Sequence, residues 1–388
     1  MTNDYNLELL RSEELRAAVE QNIECDPLTV ALRRGVPMPQ VVATQVKYLQ
    51  RARRKLPSLY AARCVIPPRA FEQSSSEESA ERKPLAGDAC LDLTCGLGID
   101  SMALAKRFKR VVSIERDEAL AEVVRYNMGL MGIDNVEVVS CSAEEYVASC
   151  VEQFDWVFVD PDRRSDKGNK MVCMEDCSPN ILGLMPRLRQ IARRVAIKLS
   201  PMFDCAEAFR LLAPAEVEVV SIGGECKELN IYTASERNTL RIAVIGQGEW
   251  EFQEQDMVVA PSEEEFEGGA WRYLHLPDVA LQKSRVAIAS LRDYAAIWSN
   301  NGFAFSREAL PVALPVRSFE IVSIERYRPR EQKCKYKGVG IEVIKRDTQL
   351  SVDAVRKALG ARSGGEVMVA LTTIQGETYI IEIKHIIK

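Results

Sequence analysis

Acids and bare backbone stand together in "CLDLTCGLGID", residues 90–100, where Asp92 precedes Gly96 and Gly98 and Asp100 follows them. Glycine has no Cβ, so a loop of this kind lets a ligand come close to the chain. Glu115 closes the next β-branched run, "RVVSIE". A carboxylate there accepts hydrogen bonds from both hydroxyls of a ribose. A later apolar run ends in "VFVDPDRRSDKGNK", which places Asp160, Pro161, Asp162, Arg163 and Arg164 side by side. The acid is suited to receive a hydrogen bond from an amine. The arginines are suited to hold phosphate or carboxylate, or to pair with Asp162 and Asp166 as a surface network. Only two histidines occur, His275 and His385, so Ser–His–Asp triads, His-rich zinc sites and HExxH helices lack material. Cys173 and Cys177 in "CMEDC" have no second Cys/His pair at a matching distance, and no metal is expected.

Such residues act together only if a fold brings them to one edge. "ACLDLT" (89–94), "RVVSIE" (110–115), "VEVVSC" (136–141), "WVFVD" (156–160) and "RVAIKLS" (194–200) read as strands, with helical segments such as "DEALAEVVRYNMGLMG" between them. Near-continuous apolar strands joined by helices predict a parallel sheet covered on both faces. Ligands bind such a sheet at the carboxyl ends of its strands. The fold class read here is α/β, with a Rossmann-like sheet over residues 81–248 that ends in an antiparallel hairpin. Residues 1–80 read as an N-terminal helical region with a basic face of Arg51, Arg53, Arg54 and Lys55. "EFQEQDMVVAPSEEEFEGG" reads as a linker, 270–317 as a helical or ferredoxin-like connector, and 318–388 as a small α+β domain.

The chain has 388 residues and a net charge of -5, so any nucleic-acid surface must be local. No stretch approaches the roughly 18 apolar residues of a membrane helix. Eleven cysteines without a secretory leader predict reduced thiols in a cytoplasm.

Two cofactor classes use the turn after a first strand. A dinucleotide needs a third glycine where Ser101 stands, and Asp100 at the helix start would repel its pyrophosphate. S-Adenosylmethionine carries a sulfonium and an ammonium but no phosphate, and acids suit it. Glu115 serves a ribose of either class. The acids and the missing glycine favour the methyl donor over a dinucleotide or a turn without a ligand. A side chain at Gly98, as in Gly98→Asp, is expected to enter the cofactor's space.

"LDLTCGLGID" resembles motif I of class I S-adenosylmethionine-dependent methyltransferases, in the D-x-x-C-G-x-G form found among 5-methyluridine and guanine-N2 RNA methyltransferases. Thr94 stands at the first glycine of the commoner motif. The resemblance implies Asp92 near the methionine ammonium, with Thr94, Cys95, Gly96 and Gly98 lining the loop. It also implies Glu115 with Arg116 at the ribose, and Ser142 with Ala143 at the adenine. "EQSSSEESAERK" is similar to a segment that folds over the cofactor in the cap guanine-N2 enzymes, which brings Ser76, Glu77 and Ala80 to the pocket. Asp160 would face the methyl group. Asp160, Pro161 and Asp162 are the candidate catalytic loop, with Asp162 and Arg163 replacing the second proline and the aromatic residue of the family's D-P-P-aromatic pattern. Arg163, Arg164, Lys198, Glu225 and Lys227 are candidate substrate contacts.

The 5-methyluridine reaction needs a nucleophilic cysteine after the fifth strand. Here Cys205 already lies inside the next helix, and Cys226 in "GGECKEL" reads as a loop residue. The C-terminal pieces "GIEVIKRD" and "SVDAVRKALG" resemble a THUMP-like domain. Residues 326–346 hold eight Lys or Arg against two Glu, with Tyr327 and Tyr336 interleaved. Lys333, Lys335 and Lys337 are the candidate RNA contacts there. The expected function is methyl transfer from S-adenosylmethionine to a base nitrogen of structured RNA, rRNA or tRNA, with guanine N2 preferred. The alternatives are a non-catalytic RNA-binding protein that retains the fold, and a small-molecule or protein methyltransferase.

Overall fold

The structure, a computed structural model, describes residues 7–163, 174–311, 313–365 and 367–386, with the backbone alone described at Arg163 and Asp176. The chain forms two compact units, Met1–Leu199 with Tyr232–Ala234, and Ser200–Ile231 with Ser235–Lys388.

The first unit is built on strands β1 (Gly87–Asp92), β2 (Phe108–Glu115), β3 (Val136–Ser140), β4 (Phe154–Val159) and β5 (Ala192–Leu199). Their spatial order is β3-β2-β1-β4-β5, and all four pairings between neighbours are parallel. The register brings the strand ends to one edge. Asp92 lies opposite Ser113 and Phe158, Glu115 opposite Ser140, and Val159 opposite Ile197. This is the predicted sheet, with bounds shifted by a residue or two. The last residues of a later strand, β6 (Glu225–Thr233), also belong to this unit, where Thr233 Oγ1 accepts the Val195 N–H at 2.9 Å.

The residues preceding the sheet are helical, as expected. They include α1 (Pro39–Lys55) and α2 (Glu77–Arg82), and they do not form a separate body. Leu49, Leu56, Leu59 and Phe71 share one core with Leu97, Met102, Val124 and Met128, the last two on α3 (Glu118–Met131). A fully buried side chain of this kind contributes roughly 1.5–3 kcal/mol. Two amides clamp the entry to the sheet. Asn127 bonds both the N–H and the carbonyl of Val65, each at 2.9 Å, and Gln45 does the same for Ile66. The basic face of α1 is spent locally: Arg51 pairs with Glu72, Arg53 with Glu24, and Lys55 donates to the Phe71 carbonyl at 2.6 Å.

In the second unit, β7 (Thr239–Val244) runs parallel to the strand Ala215–Ile222 and antiparallel to β8 (Gly248–Gln253). The antiparallel hairpin is thus present, and its second strand takes in the start of the segment read as a linker.

The other sheet of this unit has eight strands among the described residues, three of them (Tyr273–Pro277, Ala296–Ile297 and Ala304–Ser306) from the segment read as a connector. β9 (Tyr273–Pro277) pairs with both Ala304–Ser306 and β10 (Val316–Arg326). The helical reading of the connector 270–317 is therefore corrected at 273–277 and 296–297. Tyr273 to Leu276 alternate too briefly to announce a strand, yet Leu274 and Leu276 are buried in this sheet's core. After β10 come α4 (Pro329–Tyr336), β11 (Gly340–Lys345), α5 (Val352–Leu359), the short strand Arg362–Ser363, β12 (Val367–Ile374) and β13 (Glu377–His385). No helix among the described residues is long and apolar enough to cross a membrane.

Candidate active site

The turn between β1 and the helix Ile99–Ala105 is held from inside by the acid before it. Asp92 is fully buried. Its Oδ1 accepts the Thr94 N–H at 3.0 Å, and its Oδ2 accepts the Ser101 hydroxyl at 2.5 Å. Burial pushes its carboxyl up to about 7, opposed by those two hydrogen bonds. Asp92, which the resemblance places near the methionine ammonium, also shapes the loop through these two bonds. Gly96 and Gly98 both have positive φ, 54° and 81°. They serve different purposes. A Cβ on Gly96 would meet no atom within 4 Å, whereas one on Gly98 would stand 2.8 Å from Val124 Cγ1 on α3. Gly98 therefore makes room for a helix, and the expectation that its side chain would enter the cofactor's space is corrected. Gly96 is the glycine with open space beside it.

Glu115 ties the ends of β1 and β2 together. Its Oε2 accepts the Gly96 N–H and its Oε1 the Asp117 N–H, both at 2.9 Å. Burial raises its carboxyl above the usual range. Thr94 links the loop to β4, because its Oγ1 accepts the backbone N–H of Asp160 at 2.7 Å.

Beyond this turn lies a network of buried charge. Lys198, near the end of β5, donates to Asp160 Oδ2 at 2.5 Å and to Ser75 Oγ at 2.7 Å, and stands 3.8 Å from Asp100 Oδ2. Asp100 also accepts from Ser75 at 2.6 Å and from Lys83 at 2.7 Å. Lys83 is 2% exposed, with its ammonium 5.5 Å from the Phe158 ring centroid. Burial works against the charge of Asp100, but Lys83 and Lys198 hold its carboxyl well below the usual range. For Asp160 burial wins and its carboxyl is raised, with Lys198 opposing. The loop and network together carry four carboxyl groups (Asp92, Asp100, Glu115, Asp160) against two ammonium groups (Lys83, Lys198). That donor set, beside open space at Gly96, fits a cationic nucleoside and opposes a pyrophosphate.

Two members of this network, Ser75 and Lys83, are not singled out by the sequence, and Asp100 enters there only as the acid that opposes a pyrophosphate. Ser75 immediately precedes the expected Ser76. The Ser76 hydroxyl instead caps α2 by accepting the Ser79 N–H at 3.2 Å, and Ala80 is buried. Glu77 accepts from the backbone and hydroxyl of Ser58. Lys83 gives no sequence signal, since a buried lysine reads as any surface lysine.

Other candidates sit apart from the network or in other roles. Ser142 caps the helix Ala143–Ser149 in a capping box with Glu145, and Ala143 is buried at its first position. Cys95 is buried, and burial raises its thiol far above the usual range, so it is a small core residue. Pro161 is buried, and Asp162 is exposed, 3.8 Å from Arg116. Asp162 and Arg163 form a two-residue bridge with Ser178 and Cys177. Arg164, Asp166 and Cys173 lie outside the described residues. Glu225 and Lys227 pair with each other at 2.5 Å on the exposed start of β6, in the second unit.

The basic stretch keeps only part of its expected character. Lys335 pairs with Glu325 and Glu382, and Arg326 with Glu267 and Glu377. Tyr336 is 1% exposed in the core of the C-terminal domain, which corrects its expected part in stacking. Arg330, Lys333 and Lys337 are exposed and carry no ion pair among the described residues. No group of three or more His, Cys, Asp or Glu among the described residues is arranged to hold a metal ion.

Residues 78–164 match the family described as tRNA (Uracil-5-)-methyltransferase, and residues 316–384 match the family described as THUMP domain-like. With this fold and these matches, the chain is an S-adenosylmethionine-dependent methyltransferase whose C-terminal residues are similar to a THUMP-like domain. It is similar to a Mycobacterium tuberculosis protein described as an uncharacterised S-adenosylmethionine-dependent methyltransferase. The two are 27% identical over 333 residues, 82% of this chain and 87% of the relative. A tRNA/tmRNA (uracil-C(5))-methyltransferase of Actinobacillus pleuropneumoniae is 30% identical over 137 residues, 29% of this chain and 37% of that enzyme. Among solved structures, a Porphyromonas gingivalis W83 protein described as a methyltransferase shares the fold with a TM-score of 0.81 at 23% identity, covering 96% of this chain and 97% of that one.

Proposed function

We propose that the chain methylates a nitrogen of a base in structured RNA, rRNA or tRNA, with guanine N2 as the preferred target. Bound S-adenosylmethionine supplies an activated methyl group, so the protein's work is to hold and orient. Glu115, Gly96 and the loop they share are the ribose side of that pocket, and Asp160 is the group that faces the target. The observation that carries the nitrogen assignment is Asp160 at the end of β4, ion-paired to Lys198 with about a third of its side chain exposed. A carboxylate so placed accepts a hydrogen bond from an amine and turns the nitrogen lone pair towards the methyl group.

Attack at uracil C5 needs a thiolate instead. Cys205 is 1% exposed, and burial pushes its thiol up to about 11. Burial likewise pushes Cys226 up to about 12. Neither is an activated nucleophile.

RNA as substrate is supported by the THUMP-like domain and by the RNA-directed names of the partial relatives. Labelled S-adenosylmethionine is offered to total RNA, protein and metabolite fractions, and labelled RNA is digested to nucleosides. Label in an N-methylated base is expected. Label in protein or small molecules would overturn the RNA assignment, and label at uridine C5 would overturn the nitrogen assignment. Replacing Arg330, Lys333 and Lys337 together by Gln should lower the salt slope of RNA affinity by about 0.9 for each lost phosphate contact. An unchanged slope would make this face an ordinary solvated surface.

A further inference from the structure

We propose that Lys198 is a positioning residue: its ammonium fixes Oδ2 of Asp160 and so leaves Oδ1 as the acceptor for the target amine. The inference rests on the function proposed above and deepens it.

Lys198 was expected to touch substrate. Its geometry points inward. The side chain is 11% exposed, and its ammonium lies against three oxygens of the protein, on Asp160, Ser75 and Asp100. These oxygens come from three places in the chain: the end of β4, the segment before α2, and the start of the helix after the glycine turn. Asp160 is recessed enough for burial to raise its carboxyl, and the nearby Asp100 pushes the same way. Lys198 and, more weakly, Lys83 oppose this. Asp92 also lies within electrostatic reach of Asp160. Of these charged groups, Lys198 alone touches the Asp160 carboxylate directly among the described residues. Oδ1 of Asp160 accepts no hydrogen bond from a described residue.

The consequence is chemical. During methyl transfer the target nitrogen's lone pair forms the N–C bond. The C–S bond breaks with its electron pair moving to sulfur, giving S-adenosylhomocysteine. The surplus N–H proton passes through Asp160 to water. An ionised Asp160 accepts that N–H; a protonated one presents a donor of its own and loses the alignment. Lys198 thus acts through Asp160, and Ser75 and Asp100 act through Lys198 by holding its ammonium in place.

The test is a carbon-13 carboxyl titration of the aspartates in the full chain, with Asp160 assigned from the Asp160→Asn spectrum. In Lys198→Met the Asp160 midpoint should rise by about one pH unit or more. In Lys198→Arg it should stay close to wild type, and in Ser75→Ala it should rise by less. A midpoint that does not move in Lys198→Met overturns the inference. Should Lys198→Met fail to fold, Ser75→Ala decides alone, and no shift there has the same meaning. Methylation of total RNA separates this inference from the reading beneath it. If Asp160→Asn works at the wild-type rate, the assignment of Asp160 falls. If Asp160→Asn is inactive while Lys198→Met keeps full rate and an unmoved acid limb of its pH profile, only the positioning role falls.

Discussion

Asp160→Asn should slow methyl transfer by about 10³-fold, within the range for loss of a positioned proton acceptor. Affinity for S-adenosylmethionine should stay within about threefold of wild type. The split follows from how the residue is held. Its backbone N–H is bound by Thr94 Oγ1, so the loop stays in place without the carboxylate. Its side chain is joined to Lys198, and an amide in that place neither pairs with an ammonium nor takes up a proton. Single-turnover assays with labelled methyl donor, beside calorimetric titration of the cofactor, measure both quantities. A variant that keeps its rate would move the reaction away from the end of β4.

Gly98→Ala should destabilise the first unit by on the order of 3 kcal/mol. The left-handed conformation at φ 81° costs an L residue roughly 1–2 kcal/mol, and forcing a methyl against Val124 at 2.8 Å adds roughly 1–3 kcal/mol. Gly96→Ala meets no atom within 4 Å, so the conformational cost at φ 54° remains and the packing cost does not. Urea unfolding of the two variants should therefore rank Gly98→Ala as the less stable by about 1–3 kcal/mol, while Gly96→Ala shows the larger effect on cofactor affinity relative to its stability. The reverse ranking would mean that Gly98, not Gly96, borders the ligand.

These two sites mark where the sequence could be read and where it could not. Strands β1 to β5 were legible because they are apolar along most of their length, as buried parallel strands must be. Once the strands were placed, Asp92, Glu115 and Asp160 followed as the residues at their ends. Roles within the loop were not legible. Motif spacing alone treats both glycines alike, and only the packing of α3 separates them. The second role of Asp92, bonding Thr94 and Ser101 to hold the loop, cannot be seen in spacing. Ser142 did carry a signal: Ser142 with Glu145 is the capping-box pattern, which predicts that the hydroxyl is already used. Lys83 carried none, since its burial depends on α2 folding against the turn. Tyr336 stands between Lys335 and Lys337, a setting that suggests a stacking platform. It lies instead on the inward side of α4, where Leu359 and Ile380 share its core.

The most direct test is a calorimetric titration of the full chain with S-adenosylmethionine, S-adenosylhomocysteine and NADH, repeated with Glu115→Ala. One methyl-donor molecule should bind per chain, its affinity should fall at least about tenfold in Glu115→Ala, as expected for loss of a hydrogen-bonded charged partner, and NADH should give no heat. Tight NADH binding, or methyl-donor binding that ignores Glu115, would contradict the placement of a sulfonium nucleoside at the turn between β1 and β2.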